Sequence, residues 1–144
     1  MTGPSLGVLL FLPYRHLEER VLDAVRAAGY SVTTAQARVF QRVDPQGSRL
    51  TRLAAAAQVT KQTAGYLVDQ LERGGYLERI PDPSDARARL IRITALGLEA
   101  AAVARQEEAR VEAEWVSLLG HRRAEELRQT LLALRSITDP YATD

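Results

Sequence analysis

Residues 59–80 read VTKQTAGYLVDQLERGGYLERI and carry the clearest structural pattern in the chain. Its Thr60 can cap a helix, because the threonine oxygen accepts a hydrogen bond from a backbone N–H of the first helical turn. The apolar residues that follow recur at three- and four-residue spacing and define one helix face: Ala64, Leu67, Val68 and Leu71. Glycines 74–75 end this pattern, and β-forming residues follow at 76–80. The stretch therefore predicts a capped amphipathic helix and then a strand.

A short helix precedes this one, and only a tight turn separates the two. We expect the short helix over 51–57, with Ser48 as its cap, and the turn at 58–59. Two short helices joined in this way form a helix-turn-helix. The major groove of B-form DNA is about 12 Å wide and admits one α-helix, whose N-terminal residues meet the base edges.

A hairpin follows the second of these helices. The segments 76–80 and 88–94 are rich in β-formers, and PDPSD at 81–85 lies between them. We expect a hairpin with a long, charged tip, which makes the motif a winged helix-turn-helix. An arginine on such a wing can enter the narrow, electronegative minor groove, and Arg87 and Arg89 are the candidates. We expect Asp82 or Asp85 to brace one of these guanidinium groups in an extended position.

Helices flank this region on both sides. Residues 6–28 have helical periodicity and stop at Gly29, while Pro13 either kinks this helix or marks its true beginning. A second helix runs from a cap at Thr33 or Thr34 to about residue 43. Two more are expected, over 95–119 and after Gly120 to about residue 137. The chain is therefore mainly α, in the order of four helices, a β-hairpin wing and two helices.

The composition limits the classes of protein to which this sequence can belong. The 144 residues suit one domain, with 46% hydrophobic and 26% charged residues. There is no cysteine, and two histidines supply few metal ligands. No apolar run approaches the roughly 18 residues of a membrane span, so we expect a cytoplasmic protein with no membrane partner. The net charge is +1, although residues 49–94 contain eight basic and five acidic side chains, a net +3.

The polar opening of the helix at Thr60 points to double-stranded DNA as the partner. Gln62 can pair with adenine through two hydrogen bonds, and Lys61 can donate to guanine or a phosphate. We expect the exposed face to continue through Tyr66 and Gln70. The complete set of candidate DNA-contacting residues is Thr60, Lys61, Gln62, Thr63, Tyr66, Asp85, Arg87 and Arg89.

Residues 59–97 resemble the MarR family, the multiple antibiotic resistance regulators. The marks occur in order at family-like spacing: LERG at 71–74, Asp85-x-Arg87 in the hairpin, and Thr94-x-x-Gly97 after it. The resemblance implies a homodimeric regulator, most often a repressor, that binds a pseudo-palindromic operator. It also implies dimerisation helices at 6–30 and 98–138, a winged helix-turn-helix at 33–97, and a cavity between them for a small aromatic effector, commonly an acid.

Other interpretations stay open at this point. The apolar residues of the first and last helices favour a dimer, but they could serve only as a core. The aromatic residues Tyr14, Tyr30, Phe40 and Trp115 are candidates for lining a cavity, although core packing is the commoner role. A winged helix can also bind protein, which a weak dependence on salt would reveal. An enzyme is not expected, because no catalytic constellation, cofactor motif or metal-ligand cluster is recognisable.

Overall fold

The computed structural model describes residues 2–142. This part of the chain contains six helices and one antiparallel hairpin, in the predicted order. The elements are α1 (Leu6–Ala27), α2 (Thr34–Phe40), α3 (Leu50–Ala57), α4 (Lys61–Arg73), β1 (Leu77–Asp82), β2 (Asp85–Ile93), α5 (Ala95–Leu119) and α6 (His121–Thr138). The predicted fold class, a mainly α winged helix-turn-helix with flanking helices, is confirmed. No helix in 2–142 combines the length and apolar character that crossing a membrane requires.

Helix α1 begins well before Pro13. The Oγ of Ser5 accepts a hydrogen bond from the backbone N of Val8 at 3.3 Å and caps the helix, which then runs through Pro13. The alternative that the helix starts at the proline is therefore wrong. Gly29 ends this region with φ +96°, as the sequence predicts.

The loop before α3 differs from expectation. Ser48 does not cap this helix; it is buried, and its backbone pairs with that of Ile91 in the hairpin, with N–O distances of 2.9 and 2.8 Å. Its hydroxyl accepts from the backbone N of Asp44 at 2.8 Å. Arg49 occupies the N-cap position without a side-chain cap. The serine is thus used to attach the loop to the wing. Helix α2 also ends earlier than predicted, at Phe40.

The tip of the wing is shorter than predicted. The strands pair from Leu77 with Ile93 as far as Asp82 with Asp85, with an irregularity after Pro81, so that only 83–84 connect them. The carboxylate of Asp82 accepts from both the backbone N and the hydroxyl of Ser84, each at 2.8 Å. These bonds close the turn tightly, and the expectation of a long tip over 81–85 is wrong.

The core lies between the winged region and α5. Its most completely buried side chains come from α2 to α5 and the hairpin: Val39, Leu53, Val68, Leu71, Leu77, Ile91 and Val111. Helix α1 packs along α5, where the guanidinium of Arg20 bonds Glu107 at 2.9 Å and Glu114 at 2.8 Å. Helix α6 has no buried residue within the described part of the chain.

Candidate nucleic-acid interface

The first turn of α4 presents a polar face. Thr60 caps the helix by accepting from the backbone N of Thr63 at 3.1 Å, as predicted. Ala64 and Val68 are fully buried against the rest of the fold, which orients the opposite face outwards. The five residues predicted for this face are all exposed: Thr60, Lys61, Gln62, Thr63 and Tyr66. The helix thus offers hydrogen-bonding side chains at the end that would enter a groove first.

Gln70 does not extend this face. It is half-buried, and its Oε1 accepts a hydrogen bond from Nε2 of Gln36 on α2 at 3.0 Å. The expected continuation of the exposed face through Gln70 is therefore wrong. The side chain fixes α4 against α2 instead, while Asp69 and Arg73 further along the helix remain exposed.

The turn between α3 and α4 is held by residues that the sequence analysis missed. Gln58 adopts the left-handed conformation, with φ 58° and ψ 43°, and its Nε2 donates to the carbonyl of Thr138 at 3.2 Å. Arg42 donates to the carbonyl of Ala56 at 3.0 Å and to Asp139 at 2.8 Å. The end of α6 is therefore connected to the helix that precedes the turn. The two bonds to the end of α6 join residues 80 and 97 positions apart in sequence, so no local pattern indicates them.

The two wing arginines are exposed on β2. Asp85 contacts Arg87, but through the backbone: its Oδ1 accepts from the Arg87 N at 3.0 Å. The other proposed brace, Asp82, bonds a different arginine, Arg49. The expectation that either aspartate braces the guanidinium of Arg87 or Arg89 is thus wrong. Asp85 shapes the backbone at the start of β2 instead.

Arg49 joins the wing to α3, a role that no local sequence pattern predicts. Its guanidinium lies 2.6 Å from Oδ2 of the buried Asp82. Hydrogen bonds from the backbone and hydroxyl of Ser84, and then from Arg49, lower the pKa of Asp82 below its usual range. This aspartate therefore closes the wing tip and tethers it to α3 as a carboxylate.

Some basic side chains of α4 and the wing form ion pairs within the protein, whereas others do not. Arg79 pairs with Asp69 at 2.8 Å and Glu72 at 3.0 Å, and Arg92 pairs with a glutamate across the hairpin. Lys61, Arg87 and Arg89 form no ion pair with any other residue in 2–142. Exposed positive charge thus remains on α4 and on the wing, where phosphates or groove edges could be contacted; Arg52 on α3 and Arg73 at the end of α4 are also exposed and form no ion pair within 2–142.

A cavity of about 380 Å³ lies between α1, the winged region and α5. Tyr14 and Phe40 line it, whereas Tyr30 and Trp115 do not; Tyr30 packs edge-on against Tyr76 with ring centroids 6.4 Å apart. The wall is mostly apolar and includes Leu17, Val21, Leu22, Val25, Val32, Val43, Leu71, Ile93, Ala100 and Ala104. Its charged residues are Glu18, Arg38, Arg105 and Glu108. Within 2–142 no group of three potential metal-ligating side chains comes together.

Known proteins resemble this chain in both sequence and fold. The family model for the MarR family matches residues 30–88, which include the helix-turn-helix and most of the wing. A transcriptional regulator from Thermotoga maritima is 26% identical over 91% of this chain and 92% of its own, with a TM-score of 0.62. The transcriptional repressor CouR, bound to a 23-mer DNA duplex, is 27% identical over 90% of this chain and 92% of its own, with a TM-score of 0.71. These matches support a MarR-family winged helix-turn-helix regulator.

The MarR fold extends beyond the matched segment. A MepR mutant from a multidrug-resistant S. aureus clinical isolate has a TM-score of 0.76, covering 94% of this chain and 98% of its own, at 20% identity. Among curated protein sequences, none matches this chain. The resemblance inferred from 59–97 is confirmed, and the matches to transcription regulators, one of them bound to DNA, support DNA-binding regulation. MarR proteins are a family of regulators rather than of enzymes.

Proposed function

We propose that this MarR-family regulator acts in the cytoplasm as a homodimer that binds a pseudo-palindromic operator and represses transcription until a small aromatic effector releases it. The observation that carries the proposal is the exposed polar opening of α4, on a helix whose other face is fully buried. A helix held so firmly from behind can present Gln62 and its neighbours at a defined angle. Sequence-specific readout requires this positioning.

The recognition roles follow from exposure and chemistry. Gln62 pairs with a base edge in the major groove, while Lys61 contacts guanine or a phosphate. Thr60, Thr63 and Tyr66 supply the surrounding contacts. On the wing, Arg87 and Arg89 reach the minor groove or its phosphates, and Asp85 sets the backbone from which Arg87 projects. Asp85 thus serves DNA binding without touching DNA.

Dimerisation is supported by apolar side chains that the single chain leaves uncovered. In α1, Phe11 is 56% exposed, and in α6 Ile137 is 83% exposed. The others on these two helices are Leu6, Val8, Leu9, Leu10, Leu12, Leu127, Leu131, Leu132 and Leu134. Since apolar surface this extensive on one monomer usually marks an interface, we assign 6–30 and 98–138 to dimerisation and 33–97 to DNA binding. Two recognition helices would then meet half-sites roughly 34–36 Å apart.

A ligand bound in the cavity would release the protein from DNA. It is bordered by both the proposed dimerisation helices and the winged region, so a ligand there can change the spacing of the two recognition helices. DNA and effector then disfavour each other reciprocally, as linkage requires. S. aureus MepR, a relative at 20% identity, has been solved with bound ethidium bromide.

The test is fluorescence anisotropy of the full chain on DNA from upstream of its own gene, with a scrambled duplex at several salt concentrations. We expect strong preference for the upstream DNA and a steep loss of affinity with salt, because phosphate contacts release counterions. Equal, weak binding to both duplexes at every salt concentration would contradict the proposal. It would favour the protein-interaction alternative instead.

Sedimentation tests the homodimer separately. Phe11→Glu and Leu131→Glu should each shift the protein towards monomer, because they place a charge in an apolar interface. Gln46→Glu adds the same charge on an exposed loop between α2 and α3 and should leave the dimer intact. A monomeric unmodified protein at micromolar concentration would contradict this part of the proposal.

A further inference from the structure

The cavity beside α1 has an apolar body and a polar mouth. Leu22, Val25 and Leu71 are buried core side chains that contribute to the body, together with the ring of Phe40. A body of this kind favours a ligand with an aromatic or aliphatic skeleton. Selection by charge must then arise at the mouth, where the ionisable side chains lie.

The central group at the mouth is Glu18, whose side chain is only 9% exposed. Arg38 binds it through two hydrogen bonds, from Nε to Oε2 at 2.7 Å and from Nη2 to Oε1 at 2.9 Å. The hydroxyl of Tyr14 donates to Oε2 at 2.9 Å, and Arg15 contacts Oε1. Both carboxylate oxygens are thus occupied, and the paired donors of Arg38 are already used within the protein.

The pKa values of Glu18 and Tyr14 keep these hydrogen bonds formed at physiological pH. Hydrogen bonds from Arg38 lower the pKa of Glu18 to about 2, so the carboxylate is charged at any physiological pH. Burial, and then the bond to Glu18, raise the pKa of Tyr14, so its hydroxyl stays protonated and continues to donate. Glu18 therefore stays ionised and keeps the paired donors of Arg38 occupied at the mouth of the cavity, while Arg15 and Arg38 offset its charge.

The remaining charges on the wall do not favour an anion either. Arg105 and Glu108 both lie on α5, one turn apart, and both are exposed. Their opposite charges offset each other within reach of the same ligand. An incoming carboxylate could take the paired donors of Arg38 only by displacing the largely buried, hydrogen-bonded carboxylate of Glu18.

We propose that the cavity takes an uncharged aromatic ligand with a hydrogen-bonding polar group, and that Glu18 is the residue that excludes aromatic acids. The inference rests on the proposed effector function of this cavity and specifies its ligand class. It departs from the aromatic acid that the family resemblance implies.

An isosteric pair of probes tests the charge preference directly. 2-Naphthamide and 2-naphthoate have the same bicyclic skeleton and nearly the same shape, but only the second carries a charge at neutral pH. Isothermal titration calorimetry on the full chain should show the amide binding about tenfold more tightly or better. Equal or tighter binding of the naphthoate, or no binding of either probe, would overturn the proposal.

Glu18→Gln then assigns the preference to one side chain. This variant keeps the shape but removes the charge, so the donors of Arg38 become available to an anion. Naphthoate affinity should rise about tenfold, whereas naphthamide affinity should change little. Glu19→Gln, an exposed neighbour on α1, is the matched control and should behave as the unmodified protein does. An unchanged ratio of the two affinities in Glu18→Gln would overturn the assignment.

Two further measurements distinguish a change in ligand preference from a loss of folding or of DNA binding. Thermal unfolding establishes that Glu18→Gln is folded; if it is not, Arg38→Gln gives the answer, since it retains the negative charge and should still bind naphthoate weakly. A gain in naphthoate binding by Arg38→Gln would contradict the inference. Operator binding without ligand is measured in parallel. If it is intact while the ligand results fail, this inference fails and the proposed DNA-binding function does not.

Discussion

The guanidinium of Arg49 lies 2.6 Å from the carboxylate of Asp82 and connects the start of α3 to the tip of the wing. Arg49 is half exposed, whereas Asp82 is buried and also holds Ser84. One carboxylate therefore determines both the shape of the wing turn and its position relative to the helix-turn-helix. Together with the Ser48–Ile91 backbone pair and the ion pairs of Arg79 with α4, this link sets the position of the wing relative to α4.

Asp82→Asn should loosen the wing. The neutral amide binds Arg49 more weakly than the carboxylate does, because the hydrogen bond loses its charge assistance. We expect operator affinity to fall several-fold, with faster amide hydrogen exchange confined to 77–93. Asp23→Asn, an exposed aspartate on α1, is the control. Unchanged exchange in the wing would show that the tether does not restrain it.

Gln62→Ala should reduce specific binding more than general binding. A base-reading side chain contributes about 1–3 kcal/mol of discrimination, so the operator should lose this much and random DNA very little. Anisotropy titrations on both duplexes measure the difference. Gln129→Ala, on the exposed surface of α6, should affect neither. Equal losses on both duplexes would reassign Gln62 to a backbone contact.

Arg87→Ala should weaken binding and relax any preference for A·T pairs at the flanks of the operator. The reason is that a minor-groove arginine responds to the stronger negative potential of narrow A·T tracts. Binding to operators with A·T-rich and G·C-rich flanks measures the effect, with Arg122→Ala on α6 as the control. A variant that retains full flank preference would show that this arginine is not a groove reader.

Two glycine-to-alanine substitutions in helices should have opposite effects. A Cβ at Gly97 would lie 2.3 Å from the carbonyl oxygen of Tyr76, so Gly97→Ala should lower the free energy of unfolding by about 1–3 kcal/mol. A Cβ at Gly65 would meet only Leu50, at 3.6 Å. Gly65→Ala should therefore raise the free energy of unfolding by roughly 0.5–1 kcal/mol. Urea denaturation measures both, and a stable Gly97→Ala would contradict the close packing of α5 on the wing.

The ionisation of Glu18 should make the free energy of unfolding depend on pH in the acid range. Its pKa in the folded protein is about 2, below the ordinary value of 4.5, mainly because Arg38 hydrogen-bonds the charged form. Since the folded-state pKa is lowered, the stabilisation is present above about pH 4.5 and is lost as the pH falls towards 2. The Tm of Glu18→Gln should lie below that of the unmodified protein at pH 7, and the gap should narrow by pH 3. A constant gap would show that the effect is not ionic.

Local sequence was sufficient to predict the elements of this protein. The cap at Thr60 and the apolar spacing from Ala64 to Leu71 determine α4, because capping and amphipathic periodicity act within a few residues. The same reasoning placed the order of the helices and hairpin. The exposed set on α4 was predictable too, since a helix with one apolar face must turn the other outwards.

Which polar side chains remain available to DNA or a ligand depends on how the helices and the hairpin pack together. Gln70 and Asp82 resemble surface residues in sequence, yet Gln36 and Arg49 bind them. Ser48 has the character of a helix cap but pairs with Ile91 across the fold. The same holds at the cavity, where Glu18 binds Arg38, 20 residues away. A hydrogen-bonding group that takes a partner distant in sequence is no longer available, and the identity of that partner depends on how the helices pack rather than on any local pattern.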